Sequence, residues 1–192
     1  VHEAYGRLGL VDVPLQRVIP GSRAAGPART VLCGQDDNLM VHAAIAAAEP
    51  GDVLVLTMPR PGPVALVGEL LATQAKVRGV AAILVDGAVR DVEELVELGL
   101  PIWARFVRVR GADKAVPGEL DEAIDVGGVT IEAGDAVVLD ADGAVAVPAD
   151  RVEEVIAAAR ERAERERLKR SKLEAGELSY DLDGLRRLVE GE

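Results

Sequence analysis

The sequence is poor in aromatic residues, which make up only 2% of its 192 positions, whereas 49% of the residues are hydrophobic. The hydrophobic core must therefore be built from Val, Ala, Leu and Ile, which suits closely packed layers of helices and strands. A chain of this length is usually one domain with enough residues to bury a core. We therefore expect a single α/β domain over residues 1–192.

Cysteine and histidine are also scarce. Cys33 is the only cysteine, so no disulfide can form within the chain, and its strand-like apolar surroundings favour a small core residue over a reactive thiol. His2 and His42 are the only two histidines, too few and too far apart for a histidine metal cluster. We interpret His42, on an alanine-rich helix, as structural.

Long apolar runs and an excess of positive charge are missing too. No run approaches the ~20 residues of a membrane helix, and the start shows no signal-peptide pattern. A net charge of −11 argues against a nucleic-acid or anionic-membrane partner. We expect a cytoplasmic protein. Since the sequence starts at Val1 without Met, we also expect a preceding segment.

Several catalytic patterns are absent. No serine lies in a nucleophile-elbow context, and no strand is followed by a glycine-rich nucleotide-binding turn, which argues against an adenosyl-dependent methyltransferase. Lys76 falls on a predicted helix rather than at a strand end, so a Schiff-base lysine is poorly supported.

The remaining pattern alternates helices and strands. Periodicity predicts helices at 2–8, 38–48 and 92–98, strands at 29–33 and 52–57, and a strand–helix–strand unit ending at Asp86. Short strands follow over 102–147, with a hairpin turn at Asp142-Gly143. Asp150, completed by Glu153 as a capping box, predicts the start of a long helix that ends near Leu173. The tail over 178–188 regains apolar residues.

The turn that opens the helix at Gly68 can bind an anion. The first N–H groups of a helix lack internal partners, and glycine lets a ligand approach the backbone closely. The alternative is structural: Gly68 only makes the turn, and Glu69 favours the helix dipole. From these residues alone, that alternative is favoured.

Arg90 and Asp91 stand side by side after the next strand. Arginine grips a carboxylate or keto oxygen with a planar fork of donors, and Mg²⁺ often takes only one or two protein carboxylates. The alternative is that Asp91 caps the following helix, which taken alone is again favoured. Asp86 is either a turn residue or a hydrogen-bond acceptor for Arg90.

Three motifs together resemble a known family: Gly-Glu-Leu-Leu-Ala-Thr at 68–73, Arg-Gly at 78–79 and Asp-Gly-Ala-Val-Arg-Asp at 86–91. They look like the signature of the 4-hydroxy-4-methyl-2-oxoglutarate aldolases, which share a fold with the regulator of ribonuclease E activity A proteins. The resemblance extends over nearly the whole chain. It implies an α/β fold, a swivelling β/β/α three-layer sandwich with a C-terminal helix extension, assembled as a homotrimer or a dimer of trimers.

The resemblance also implies a metal-dependent lyase that cleaves a 4-hydroxy-2-keto acid to pyruvate, with oxaloacetate decarboxylation as a side reaction. The backbone of Gly68, Glu69, Leu70 and Leu71 would cradle the pyruvate carboxylate. Arg90 would contact the pyruvyl unit, and Asp91 would anchor Mg²⁺ or Mn²⁺, largely through water. The base that takes the 4-hydroxyl proton stays open between metal-bound hydroxide and a neighbouring glutamate.

That glutamate would come from the C-terminal extension, residues 150–192, which the resemblance places against a neighbouring subunit. Glu166 is the best match for a residue that reaches the neighbour's site, with Glu164 as the alternative. Without the resemblance, either would be one more solvated charge. A second function class also stays open: a non-catalytic regulator that binds a ribonuclease or helicase partner.

Overall fold

A curled sheet of parallel and antiparallel strands forms the centre of the computed structural model, which describes residues 1–191. The strands are β1 (Gln16–Arg17), β2 (Ala24–Leu32), β3 (Val53–Thr57), β4 (Ala65–Val67), β5 (Ala82–Val89), β6 (Ile102–Val107), β7 (Glu119–Leu120), β8 (Ile124–Val126), β9 (Val129–Ile131), β10 (Ala136–Leu139) and β11 (Ala144–Val147). The order across the sheet is β1-β6-β5-β3-β2-β10-β11, with β4 beside β5, β7 beside β2, and β8–β9 as a separate hairpin.

Helices cover one face of this sheet. They are α1 (Leu39–Ala47), α2 (Glu69–Val77) and α3 (Val92–Leu98). The C-terminal part of the chain forms three more helices, α4 (Val152–Glu174), α5 (Ser179–Leu182) and α6 (Leu185–Glu190). Leu54 of β3 and Val85 of β5 pack in the core cluster that includes the apolar side chains of α1 and α2. Both strands are buried along their whole length, which explains their nearly continuous apolar sequences.

The third layer arises because β2 is shared between two partners. Its first half, Ala24–Pro27, pairs antiparallel with β10, whereas Ala28–Leu32 pairs parallel with β3. The sheet therefore curls, and β10, β11 and the β8–β9 hairpin pack against Val53, Leu84 and Trp103 on the face opposite the helices. Two strand layers and one helix layer result, which confirms the predicted fold class.

Several local predictions were wrong. Residues 2–7 form hydrogen-bonded turns instead of a helix, because Gly6 and Arg7 take positive φ angles. Strand β5 continues through Asp86 to Val89 instead of turning at Gly87. Asp150 does not cap α4: it lies in a short 3-10 turn, Ala149–Arg151, and the residue at the helix start makes no side-chain capping bond.

Helix α4 differs from the helices of the core. Of its 23 residues only Val155 is buried, and ion pairs one turn apart, such as Arg162 Nε to Glu166 Oε1 at 2.8 Å, run along its surface. The tail folds back onto it where Lys169 Nζ donates to Asp183 Oδ1 at 2.7 Å. Among residues 1–191, no helix has the length and apolar character needed to cross a membrane.

Cys33 lies in the helix-side core and is 1% exposed, as the sequence indicated. Burial, helped by the negative charge of Asp37, raises the pKa of the Cys33 thiol to about 12. The thiol therefore stays protonated near neutral pH, which makes it a poor nucleophile.

Candidate functional site

Asp91 has an unusual backbone conformation at the turn between β5 and α3. Its φ of 60° and ψ of 46° are left-handed, a region that residues other than glycine adopt rarely and that often marks functional sites. Although Asp91 occupies the N-cap position of α3, its side chain makes no bond to that helix. Its Oδ2 instead accepts a hydrogen bond of 3.1 Å from the Glu69 N–H at the start of α2. The predicted alternative, a simple cap of α3, is therefore wrong for the side chain.

Two glycines make room for the Arg90–Asp91 pair. A Cβ at Gly68 would lie 2.5 Å from Asp91 Oδ2 and 3.0 Å from Arg90 Nε, and a Cβ at Gly111 would lie 2.6 Å from Arg90 Nη1. The arginine side chain thus passes between two backbone segments that approach it closely. The absence of a side chain at Gly68 therefore leaves room for the side chains of Arg90 and Asp91. It also lets a ligand approach the backbone closely.

These residues surround a cleft with a volume of about 200 Å³. Its wall contains Gly68, Leu70, Leu71, Arg90 and Asp91, which the sequence singled out, together with Asn38, His42, Ala65, Gln74, Ala112 and Lys114. The side chain of Glu69 is not part of this wall, because its Oε1 accepts a hydrogen bond from Thr73 Oγ1 at 3.0 Å. Glu69 contributes only its N–H, which Asp91 occupies.

The N–H groups of Leu70 and Leu71 remain at the start of α2. Groups in the first turn of a helix have no intrahelical partners, and the helix dipole adds positive potential there. With the guanidinium of Arg90 nearby, this side of the cleft suits an anion. An arginine and an aspartate that are 48% and 40% exposed are also accessible to a ligand from solvent.

Asn38 and His42 were missed as site residues by the sequence analysis. They are four positions apart at the start of α1, and both line the cleft. Asn38 Nδ2 donates to the Leu66 carbonyl at 3.0 Å, but its buried Oδ1 has no partner within residues 1–191, and neither has the buried Nε2 of His42. Buried polar atoms are nearly always hydrogen-bonded, so these two residues keep unused hydrogen-bonding capacity beside the cleft. His42, which the sequence analysis interpreted as structural, therefore also lines the cleft.

Lys114 reaches the cleft from the loop after β6. The buried carboxylate of Asp37 holds this loop, since Oδ2 accepts from the N–H groups of Ala115 at 2.6 Å and Val116 at 3.0 Å. Burial alone would raise the pKa of Asp37, but the backbone bonds from Ala115, Leu39 and Val116 outweigh it and hold the pKa below its usual value. Lys76, by contrast, donates to the Leu98 carbonyl at 2.6 Å and lies outside the cleft wall.

A hydrated divalent cation fits the donor set of this cleft. Within residues 1–191, no group of three or more His, Cys, Asp or Glu side chains could form a metal cage. Asp91 offers a partly exposed carboxylate whose Oδ1 makes no hydrogen bond within that range, and Asn38 Oδ1 is a second unpaired oxygen. Mg²⁺ takes few protein ligands and keeps several waters, so this set suits it better than zinc.

Two other sequence candidates lie elsewhere. Asp86 does not accept from Arg90: its carboxylate is buried on the opposite face of the sheet and pairs with Arg105 Nη1 at 3.0 Å. Glu166 pairs with Arg162 and lines a separate groove formed with the N-terminal residues and the β10–β11 hairpin. Within one chain, Glu166 is therefore not part of the Arg90–Asp91 cleft.

Comparisons with known proteins agree on one family. The profile of the RraA-like family, described as Aldolase/RraA, matches residues 1–146. A protein of Halalkalibacterium halodurans, provisionally named 4-hydroxy-4-methyl-2-oxoglutarate aldolase, is 36% identical over 140 residues, which are 73% of this chain and 67% of the relative.

Solved structures show the same fold under different names. RraAS2 of Streptomyces coelicolor, described as an unusual member of the RNase ES inhibitor RraA protein family, is 31% identical with a TM-score of 0.77, covering 89% of this chain and 88% of its own. A Geobacillus kaustophilus protein described as an S-adenosylmethionine:2-dimethylmenaquinone methyltransferase is 31% identical with a TM-score of 0.67, covering 71% and 84%. Fold alone therefore does not choose the activity.

Proposed function

We propose that this chain, which belongs to the RraA-like family, is a divalent-metal-dependent lyase. Its proposed reaction is the cleavage of a 4-hydroxy-2-keto acid to pyruvate. The observation that carries the proposal is the single cleft that is lined by the start of α2, the Arg90–Asp91 pair, Asn38 and His42. A keto acid offers a carboxylate, a keto oxygen and a hydroxyl, and the cleft has a matching group for each.

The substrate carboxylate binds the N–H groups of Leu70 and Leu71, where the helix dipole favours an anion. Arg90, held between Gly68 and Gly111, donates to the keto oxygen. Cleavage of the C3–C4 bond leaves the pyruvate enolate, whose negative charge develops on that oxygen. A donor fixed in advance stabilises this charge without reorganising during the reaction.

Asp91 is the residue that would hold the cation, and Asn38, whose Oδ1 has no partner within residues 1–191, lines the same cleft. A divalent cation, when bound, supplies positive charge at the keto oxygen and so takes the place of a covalent imine. The hydrogen bond from the Glu69 N–H fixes the Asp91 carboxylate before any ligand arrives. Mg²⁺ or Mn²⁺ is the proposed ion.

Proton transfer from the 4-hydroxyl group needs a base near the far end of the substrate. His42 lines the cleft, and its Nε2 is buried without a partner inside the described part of the chain. We assign it as the proton acceptor within the chain. A glutamate from a neighbouring subunit, Glu166 or Glu164, is the alternative, since neither lies in this cleft within one chain.

A coupled pyruvate-release assay tests the reaction class. Chelator should abolish turnover, and Mg²⁺ or Mn²⁺ should restore it. Because Lys114 lines the cleft, the imine route has a candidate amine and must be tested directly by borohydride reduction in the presence of pyruvate. Covalent trapping that disappears in Lys114→Ala but persists in Lys76→Ala would overturn the metal mechanism.

A homotrimer, or a dimer of trimers, with sites shared between subunits is also proposed. Asp91→Ala and Glu166→Ala would then damage opposite halves of one site. After subunit exchange, confirmed by native mass spectrometry, the mixture should be more active than either variant. Activity that stays at the parental level would remove Glu166 from the site.

A regulatory function is the second candidate, favoured by the likeness to the Streptomyces coelicolor protein of the RNase ES inhibitor family. It requires binding of a ribonuclease or its helicase partner but no turnover. A purified chain that inhibits a ribonuclease of the E type and releases no pyruvate from any 4-hydroxy-2-keto acid would favour the regulator.

A further inference from the structure

The buried carboxylate of Asp37 joins two segments that are far apart along the chain. Its Oδ1 accepts from the Leu39 N–H at 2.8 Å, which fixes the first turn of α1. Its Oδ2 accepts from the N–H groups of Ala115 and Val116, which belong to the loop 108–118 between β6 and β7. One side chain therefore connects the start of α1 to this loop.

Both connected segments line the cleft. Asn38 and His42 come from the start of α1, and Lys114 comes from the loop. Lys114 is exposed, so the position of its ammonium group depends on the backbone that carries it. Asp37 itself is 0% exposed and is not part of the cleft wall. It can therefore affect a ligand only through the residues that it holds.

The buried charge of Asp37 needs an explanation, because taking a carboxylate out of water costs free energy. The hydrogen bonds that favour its ionised form come from three backbone N–H groups. Binding the helix start needs only one oxygen, which a serine or an asparagine would also supply. Only an ionised carboxylate offers two oxygens that both act solely as acceptors. The charge is therefore explained by the need to hold the helix and the loop at once.

The backbone that precedes α1 brings the loop close. Asp36 has a left-handed φ of 57°, which costs free energy in a residue other than glycine. Its carbonyl accepts from the Asp113 N–H of the loop at 3.0 Å. On the same side, a Cβ at Gly34 would lie 2.7 Å from Val116 Cβ. The loop thus lies directly against this segment and has little room to shift.

We propose that Asp37 is a positioning residue for ligand binding in the cleft: its carboxylate fixes the loop so that the ammonium group of Lys114 binds an anionic 2-keto acid. This role rests on the proposed function, which supplies the class of ligand. Asp37 does not touch the ligand. Loss of the anchor should therefore weaken binding of the keto acid more than it slows bond cleavage.

Calorimetric titration with 2-oxoglutarate in the presence of Mg²⁺ measures this role. 2-Oxoglutarate is a 2-keto acid without a 4-hydroxyl group, so the proposed reaction cannot consume it. Asp37→Asn keeps the size of the side chain but has one acceptor oxygen, so it can retain the bond to α1 or the bonds to the loop, but not both. It should bind 2-oxoglutarate about tenfold more weakly than the parent chain. Unchanged affinity would overturn the assignment.

Asp135→Asn is the matched control. Asp135 is also a buried aspartate that accepts from two backbone N–H groups, those of Glu132 and Ala149, both at 3.0 Å, but it lies outside the cleft wall. This substitution should destabilise the fold in a similar way and leave the affinity for 2-oxoglutarate at the parental value. An equal loss of affinity in both variants would show that general destabilisation is responsible, and the special role of Asp37 would fall.

A double-mutant cycle tests whether Asp37 acts through Lys114. Lys114→Met removes the charge while keeping a long side chain, and should itself weaken binding about tenfold. The double variant Asp37→Asn/Lys114→Met has no ammonium group left to misplace, so it should bind within about twofold of Lys114→Met. Parental affinity in Lys114→Met, or losses that multiply in the double variant, would refute action through Lys114.

Gly34→Ala displaces the same loop without changing Asp37, and so gives an answer even if Asp37→Asn does not fold. The new Cβ would lie 2.7 Å from Val116 Cβ and 2.9 Å from the Val116 carbonyl oxygen, so the loop must move. Binding of 2-oxoglutarate should weaken in the parent background and stay unchanged in the Lys114→Met background. Parental affinity in Gly34→Ala would contradict the assignment.

Steady-state kinetics separate this role from the lyase proposal. Where the parent chain releases pyruvate, Asp37→Asn should raise KM about tenfold and lower kcat less than about threefold. The predicted pattern of 2-oxoglutarate binding without any pyruvate release would remove the lyase and leave the positioning role in place. Turnover with an unchanged KM in Asp37→Asn would do the reverse, and a parent chain that does not bind 2-oxoglutarate would overturn the positioning role.

Discussion

Two arginine–aspartate pairs adjoin strand β5, and they lie on opposite faces of the same sheet. Arg90 and Asp91 follow the strand on the helix face, are 48% and 40% exposed, and are 3.5 Å apart. Asp86 and Arg105 lie on the hairpin face, are 3% and 28% exposed, and are 3.0 Å apart. The exposed pair depends on backbone geometry, through a left-handed residue and two glycines, whereas the buried pair depends on strand register.

The difference separates what each pair does for the protein. Charges that stay accessible are available to a ligand and add little to folding stability. Charges removed from water must satisfy each other, so the loss of one partner of the buried pair lowers the stability of the fold.

The largest expected effect breaks the buried pair. Arg105→Leu leaves the Asp86 charge without its partner and should lower the free energy of unfolding by about 3–5 kcal/mol. The double variant Asp86→Leu/Arg105→Leu removes both charges and should recover most of that loss. Urea denaturation of the three proteins measures it; a double variant no more stable than Arg105→Leu would contradict this account of the pair.

Breaking the exposed pair should instead affect catalysis. Arg90→Lys keeps the charge but loses the fork, and should raise the activation barrier by about 2–4 kcal/mol, roughly a hundredfold or more in rate. The measurement is pyruvate release per active protein, with urea denaturation expected to show little change. A variant with near-parental turnover would make Arg90 structural.

A smaller perturbation of the same pair comes from Gly68→Ala. The backbone φ of −133° accepts alanine, but the new Cβ would lie 2.5 Å from Asp91 Oδ2 and would push the carboxylate aside. A displacement of about 1 Å at a reacting centre can reduce the rate by up to about a hundredfold, so we expect a loss of turnover somewhat smaller than in Arg90→Lys.

The control for this change is Gly62→Ala, whose Cβ would come no closer than 3.7 Å to another residue. It should keep parental turnover. If Gly68→Ala also keeps it, the position of the Asp91 carboxylate does not limit the reaction.

The comparison also shows what the sequence could predict. The exposed pair and the start of α2 lie within one short segment, so a local motif identified Gly68, Leu70, Leu71, Arg90 and Asp91 together. The buried pair joins residues from different strands, and no pattern along the chain reveals the register that makes them neighbours. Asp86 was consequently assigned to a turn or to Arg90.

Asn38, His42 and Lys114 were missed for the same physical reason. They come from the start of α1 and from the loop held by Asp37, and only tertiary contacts bring them to the cleft. The one available signal was the spacing of Asn38 and His42, four residues apart on one helix face. The buried strands and long helices were predicted well, because their apolar patterns are continuous, whereas the N-terminal turns depended on two positive φ angles.

The divided pairing of β2 has a consequence for synthesis of the chain. The second half of β2 finds its partner, β3, soon after it leaves the ribosome, but Ala24–Pro27 must wait for β10, which is made far later. Until then this segment is an unpaired strand edge, the kind of surface on which nascent chains associate wrongly. Any shortening of the chain before Leu139 would make that exposure permanent, so we expect truncated products to aggregate rather than to fold as smaller domains.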